Sequence, residues 1–236
     1  MGPHFPKTAH DSRVESWEIR KGNQPLRAIE RTTRHGHTTT RKYRVVCRGC
    51  NNGWMARIED IARPHLIGLM TGACRELSEK ARREITRWAV LKTIVLEHER
   101  PHEAVIRPDD RKAFMQTGAM PPGVQVWLFR CGESPWDASL HRHCATATVD
   151  PTPPANYRAK NTQSVLIGAR EVLIYLFQSY TLQSEMRFDE AACRRLWPAT
   201  VGPATWPPER RARAIDAESI ADTIGAIIRD PRTRHM

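Results

Sequence analysis

A chain of 236 residues has room for one ordinary domain with a small appendage, or for two modest domains. With 40% hydrophobic and 27% charged residues, and no apolar run near the roughly 18 residues of a membrane span, it is neither a collagen, nor a wholly disordered chain, nor a transmembrane protein. Its 37 lysines and arginines against 26 aspartates and glutamates leave a net charge of +11, which favours a polyanion such as DNA as partner.

Arginine supplies 30 of those cations, and its permanently charged planar fork matches phosphate in a bidentate grip. Residues 1–60 hold 12 basic and 6 acidic side chains, so the N-terminal quarter is the expected nucleic-acid face, with Arg41, Lys42, Arg44, Arg48 and Arg57 as its candidate contacts. Met1 to Lys21 has neither the apolar core nor the small-residue cleavage site of a secretory signal, and the expected location is the cytoplasm.

From Met1 to Arg41 neither a period of 2 nor one of 3.6 residues is sustained, which predicts loop with at most short strands. The β-branched and aromatic stretch from Arg41 to Cys47 reads as a strand running into a tight turn at Cys47-Arg-Gly-Cys50. Trp54, Ile58 and Ile61 then recur at helical spacing, with Asn51 or Asn52 as the N-cap and Pro64 stopping or restarting the helix.

A longer helix is predicted between Glu76 and Glu99. Leu77, Ala81, Ile85, Trp88, Ala89, Ile94 and Val95 keep to one broad face of it, while Lys80, Arg83, Glu84, Arg87 and Lys92 lie opposite. Pro101 closes this helix, and Pro108-Asp109-Asp110 starts a shorter one through Met115, before Gly118 and the Pro121-Pro122-Gly123 turn. Four strands follow, Val124–Cys131, Leu140–Val149, Gln163–Ile167 and Glu171–Ser179, the last two joined at Gly168-Ala-Arg170; they imply an antiparallel sheet. Trp197-Pro198 and Trp206-Pro207-Pro208 mark an irregular segment with an exposed Trp206, and a last helix is expected after Asp216, along Ile220, Ile224, Ile227 and Ile228. The fold class is therefore α+β.

Of six cysteines, only Cys47 and Cys50 are close enough to share a local task, while Cys74 and Cys193 read as small buried hydrophobes. Two thiolates two residues apart on a turn suit tetrahedral zinc, although a structural site takes four protein ligands; a reduced dithiol is the other reading of the pair. His35 and His37, ten residues upstream, are candidates to complete a His2Cys2 set. His141, His143 and Cys144 form a second cluster, but on a strand the two histidines face away from the cysteine, which disfavours one shared ion. Among the carboxylates, only Glu59 lies near the knuckle. Trp54 and Trp88 are expected in the core. The chain carries no phosphate-binding glycine loop, no dinucleotide fingerprint, no nucleophile elbow and no His-Glu-x-x-His.

The string Val45-Val-Cys-Arg-Gly-Cys-Asn-Asn-Gly-Trp-Met55 resembles the HNH-type nucleases with a ββα-metal core, in the bacterial and phage branch whose core ends in Cys-x-x-Cys-Asn-Asn-Gly-Trp-Met. Pro3-His4-Phe5-Pro6-Lys7 is similar to the histidine segment of that family, and the Trp88 helix and the Trp-Pro steps also resemble the branch. The resemblance implies His4 as the general base for the attacking water, Asn51 as the last metal-side position of the core, and Cys47 and Cys50 as two structural zinc ligands. The middle residue of the motif is left open among Asn23, His35 and His37.

It further implies structural Zn²⁺ together with catalytic Mg²⁺ or Mn²⁺. Residues 1–62 would then form the ββα knuckle region, and residues 63–236 an α+β domain of separate role. Two departures stand out. Pro3 occupies the position of an acidic metal ligand, and the family's other Cys-x-x-Cys, before the histidine segment, has no counterpart in the sequence. The expectation is an HNH-like endonuclease hydrolysing DNA, with a non-catalytic zinc-knuckle DNA-binding protein as the alternative; in a third reading the knuckle is an appendage to an interaction domain.

Overall fold

A computed structural model of the chain describes residues 10–18, 27–36, 45–98, 100–131, 138–146, 160–181 and 186–213. The N-terminal elements are strands β1 (His10–Glu18) and β2 (Arg27–Gly36). The first helical run comprises α1 (Arg48–Cys50), a wide turn at Asn51–Met55 and α2 (Ala56–Thr71). After the short β3 (Glu76–Leu77) come α3 (Glu79–Glu97), a 3-10 turn (Pro101–Glu103) and α4 (Pro108–Thr117). Strands β4 (Val124–Arg130), β5 (Ala138–Thr146), β6 (Thr162–Ala169), β7 (Val172–Ser179), β8 (Cys193–Trp197) and β9 (Ala204–Thr205) complete the order.

The four strands expected from the sequence form one antiparallel block in the order β5-β6-β7-β4, so the α+β class holds. The sheet is nevertheless wider than the sequence suggests: β8 joins β4 antiparallel, and the β1–β2 hairpin joins β5 with β1 parallel to it. The hairpin corrects the expectation of loop before Arg41. A strand with weak local periodicity gains its definition from the strands it pairs with, and here β1 pairs with β5, far along the chain, as well as with its hairpin neighbour β2. For the same reason the segment around Trp197 is a strand rather than irregular chain, since pairing with β4 fixes it. At the β6–β7 turn, Arg170 takes a left-handed conformation (φ 55°) between the paired ends Ala169 and Val172.

Strand alternation divides the block into two apolar layers. Val126, Leu128, Val172, Ile174, Leu176 and Leu196 pack with the helices in the larger core. Trp127, Phe129, Leu173, Tyr175 and Phe177 face the other way, and Phe188 covers them with its ring edge-on to Trp127, Phe129 and Tyr175 at 5.0, 5.2 and 5.6 Å. Every residue of β7 is buried, which is why its sequence reads as a continuous apolar run.

Helix α3 begins where Ser78, with an extended backbone, accepts the Ala81 N–H at 3.1 Å. Of the expected apolar face, Ala81, Ile85, Ala89 and Ile94 are buried in the larger core and Trp88 and Val95 are half-buried, while Leu77 lies before the helix in β3; the face opposite is not left to water. Helix α2 lies across it, with His65 Nε2 2.7 Å from Glu84 Oε2, and with Lys92 Nζ donating to Glu59 Oε1. Pro64 lies inside α2 rather than ending it. It is on the exposed side, while Ile58, Ala62 and Leu69 anchor both halves of the helix in the core, so the one missing backbone bond to Asp60 is tolerated. Trp206 is 3% exposed and belongs to the core, correcting its expected exposure. Beside it the 200–202 loop is held to α3 by the buried Arg82, which donates to Thr200 and Gly202. The helix expected after Asp216 lies outside the described residues.

Candidate functional site

The helical run from Arg48 starts one turn earlier than its composition suggests, because Cys47 and not an asparagine caps it. Cys47 is extended (φ −69°, ψ 156°), its Sγ accepts the Cys50 N–H at 3.3 Å, and its carbonyl accepts from Asn51 at 3.0 Å. A sulfur in this position satisfies one of the free N–H groups of a first helical turn, as a serine or aspartate oxygen otherwise does. Residues 45–47 lie outside any strand, so the expected strand into the knuckle is not formed there, and 41–44 are outside the described residues.

Both sulfurs of the Cys-x-x-Cys thus sit on one turn, Cys47 exposed, Cys50 half-buried against the core, and both as free thiols. Hydrogen bonds from Cys50, chiefly its backbone N–H, hold the Cys47 thiol below its ordinary pKa. That favours the thiolate, the form that ligates metal. The pair supplies two donors of the soft kind zinc takes, half of a tetrahedral set. Among the described residues no group of three or more His, Cys, Asp and Glu lies together to hold an ion.

Asn51 is exposed on the turn after Cys50, and its Nδ2 donates to Asn52 Oδ1 at 3.2 Å. His35 lies on β2 opposite Asp11 of β1. His4, His37, Arg41, Lys42 and Arg44 are outside the described residues. Arg48 and Arg57 are exposed on the helical run, and neither forms an ion pair among the described residues. Glu59, the carboxylate nearest the knuckle in sequence, is engaged by Lys92. In the second histidine-cysteine cluster, Cys144 is buried and its thiol points 3.7 Å from Glu103 Oε2, so it serves the interior.

One feature near the knuckle has no counterpart in the sequence reading. An open cavity of about 230 Å³ lies where three helices meet, lined by Trp54, Arg57, Ile58 and Ile61 from the first helical run, Glu84 and Arg87 from α3, and Met115 from α4. Trp54 stands edge-on to Phe114, with ring centroids 6.2 Å apart. Its place on an apolar helical face was legible in the sequence; that the face ends at a cavity follows only from the meeting of α2, α3 and α4.

Compared with family models, with curated proteins and with solved structures, the chain matches none. Among the described residues no helix is long and apolar enough to cross a membrane.

Proposed function

We propose that this chain is an HNH-like, metal-dependent endonuclease that hydrolyses phosphodiester bonds in DNA and works in the cytoplasm. The observation that supports it most is the Cys47–Cys50 turn. The Cys47 thiol caps the short turn that carries Cys50, and this turn follows a β-hairpin and leads through a break at Gly53 into α2, which is the ββα order of elements the sequence resemblance implies. Asn51, on the next turn, keeps its side chain at the surface, where a metal-side residue has to be. In this reading His4 takes the proton from the attacking water, as a neutral imidazole does near pH 7. A Mg²⁺ or Mn²⁺ ion, when bound, offsets charge on the scissile phosphate and the leaving oxygen. Cys47 and Cys50, with His35 and His37 as the further candidates, hold a structural zinc, and the basic side chains from Arg41 to Arg57 contact the DNA backbone.

The second reading is a non-catalytic zinc-knuckle DNA-binding protein. It is favoured by the absence of an acidic residue at Pro3 and by the engagement of Glu59 with Lys92. Elemental analysis of the purified chain and of a Cys47→Ser, Cys50→Ser variant comes first, followed by plasmid nicking with Mg²⁺ or Mn²⁺. One zinc per chain, lost in the variant, with metal-dependent nicking abolished by His4→Ala, supports the nuclease. Zinc and DNA binding without nicking support the second reading, and a chain free of zinc that nicks nothing overturns both.

A further inference from the structure

The cavity beside Trp54 combines two features that water alone does not account for. The first is unneutralised positive charge. Arg57 and Arg87 both line it, and neither forms a hydrogen bond or ion pair among the described residues. Arg87 is half-buried, and its Nε is sealed from solvent without a partner, as is Trp54 Nε1.

The Arg87 guanidinium packs closely against Gly118 at the end of α4. A Cβ built on that glycine would come within 2.7 Å of Cζ and Nη2. The one carboxylate in the lining, Glu84, is taken by His65 at 2.7 Å and makes no ion pair with Arg87. A partly desolvated guanidinium packed at the edge of a cavity without a counter-ion is a site for an anion.

The second feature is apolar. Ile61 and Met115 are 48% and 42% exposed, and they are two of four large hydrophobic side chains left in water among the described residues. Both line this cavity, together with the half-buried Trp54. An anion carried on an apolar body therefore fits the lining. The size restricts the body further: about 230 Å³ falls below the roughly 300–1,000 Å³ of sites that enclose a whole drug-sized ligand. An open cavity of this volume suits one unit of a polymer that continues outside it.

We propose that the cavity seats a single unstacked nucleotide of a DNA strand, its phosphate held by Arg57 and Arg87 and its base lying along Trp54, Ile61 and Met115. The proposal rests on the DNA reading above and deepens it, since it makes the preferred substrate a single strand, or a duplex from which a base is turned out. Stacking on an aromatic wall tolerates any base and discriminates against a paired, stacked one.

The test is fluorescence anisotropy of a labelled single-stranded oligonucleotide and of the matching duplex, at about 50 mM salt, where phosphate contacts are strong. The wild type should bind the single strand several-fold more tightly than the duplex. Arg57→Gln and Met115→Glu, both at exposed positions whose side chains make no polar contact in the described structure, should each weaken single-strand binding about tenfold, the size expected for loss of one phosphate or one stacking contact. Arg83→Gln, an exposed arginine of the same helix as Arg87 that does not line the cavity, should have a much smaller effect. Arg87→Gln, checked for folding by circular dichroism, should match Arg57→Gln. If the duplex is bound but Arg57→Gln and Met115→Glu leave the single strand unaffected, or if Arg83→Gln weakens binding equally, the cavity has no such role while the DNA reading stands. If the wild type binds neither strand form and nicks nothing, the DNA reading itself is overturned and this inference with it.

Discussion

Glu97, wholly buried at the C-terminal end of α3, accepts from Arg111 Nη2 of α4 at 2.6 Å through its Oε2. Its Oε1 accepts the backbone N–H groups of Val105 and Ile106 at 2.9 and 3.0 Å and Gln163 Nε2 of β6 at 2.7 Å, while Arg142 of β5 stands 3.9 Å away. One carboxylate thus ties two helices, a loop and the centre of the sheet. Removing only its charge leaves two cations short of their anion in the interior, so Glu97→Gln should cost about 3 kcal/mol of unfolding free energy. Urea denaturation followed by circular dichroism measures this, and a loss under about 1 kcal/mol would mean the network is not held by charge.

Pro64 gives an opposite expectation. In α2 it deprives the Asp60 carbonyl of its helical partner at an exposed position, and the two halves of the helix are already anchored by Ile58, Ala62 and Leu69. Pro64→Ala should restore that bond and stabilise the fold by about 1–3 kcal/mol, a rise of several degrees in Tm. A lower Tm would show instead that the bend at Pro64 is needed for α2 to cover α3.

Two glycines separate backbone strain from close contact. Gly72 and Gly123 both have φ 71°, but a Cβ at Gly72 meets open space, whereas at Gly123 it would lie 2.0 Å from the Ser179 carbonyl oxygen. Gly72→Ala should cost about 1 kcal/mol, the left-handed penalty alone, and Gly123→Ala distinctly more, because the end of β7 must move. Equal losses in parallel denaturation curves would contradict this.

The buried thiol of Cys144 gives a pH dependence. Burial pushes it up to about 11, from an ordinary 9.0. The folded state therefore favours the protonated form, so its stabilising effect is complete below about pH 9 and is lost as pH rises through 11, for a total of about 3 kcal/mol. Between pH 8 and 11 the urea midpoint of the wild type should fall more steeply than that of Cys144→Ala. Parallel curves for the two proteins would rule the effect out.

Cysteine labelling reads the knuckle directly. With EDTA present at neutral pH, iodoacetamide should modify the exposed Cys47 first, its thiolate being favoured by the Cys50 hydrogen bonds, while the buried Cys131, Cys144 and Cys193 react only in denaturant. Peptide mass spectrometry gives the order, and early labelling of Cys193 would be incompatible with its burial in the smaller apolar layer of the sheet.

Helix α3 and strands β4 to β7 were legible in the sequence from local pattern: Ala81, Ile85 and Ala89 recur every four residues on one helical face, and β4, β6 and β7 carry β-branched or aromatic runs. Local capping chemistry was less legible. The helix after the knuckle was expected to start at an asparagine, and the cap is a cysteine sulfur, which sequence preferences rank low but which serves as an acceptor once its backbone is extended. The candidate site was read in part. Cys47, Cys50, Asn51 and Arg57 follow from one short string, whereas Arg87 and Met115 stand 30 and 58 positions beyond Arg57 and share a cavity with it only through packing.

By itself, then, the sequence determined the elements whose hydrophobic pattern is local, the α+β class, and the chemistry available at the Cys-x-x-Cys string. Tertiary structure alone decided that the β1–β2 hairpin extends the sheet beside β5, that Glu97 gathers Arg111 and Gln163, and that α2, α3 and α4 bring Arg57 and Arg87 to one open cavity beside an apolar wall. The physical reason is range. Periodicity and capping act within a few residues, but strand neighbours, buried charge networks and cavities arise from surfaces far apart in the chain, and no single segment encodes its partner.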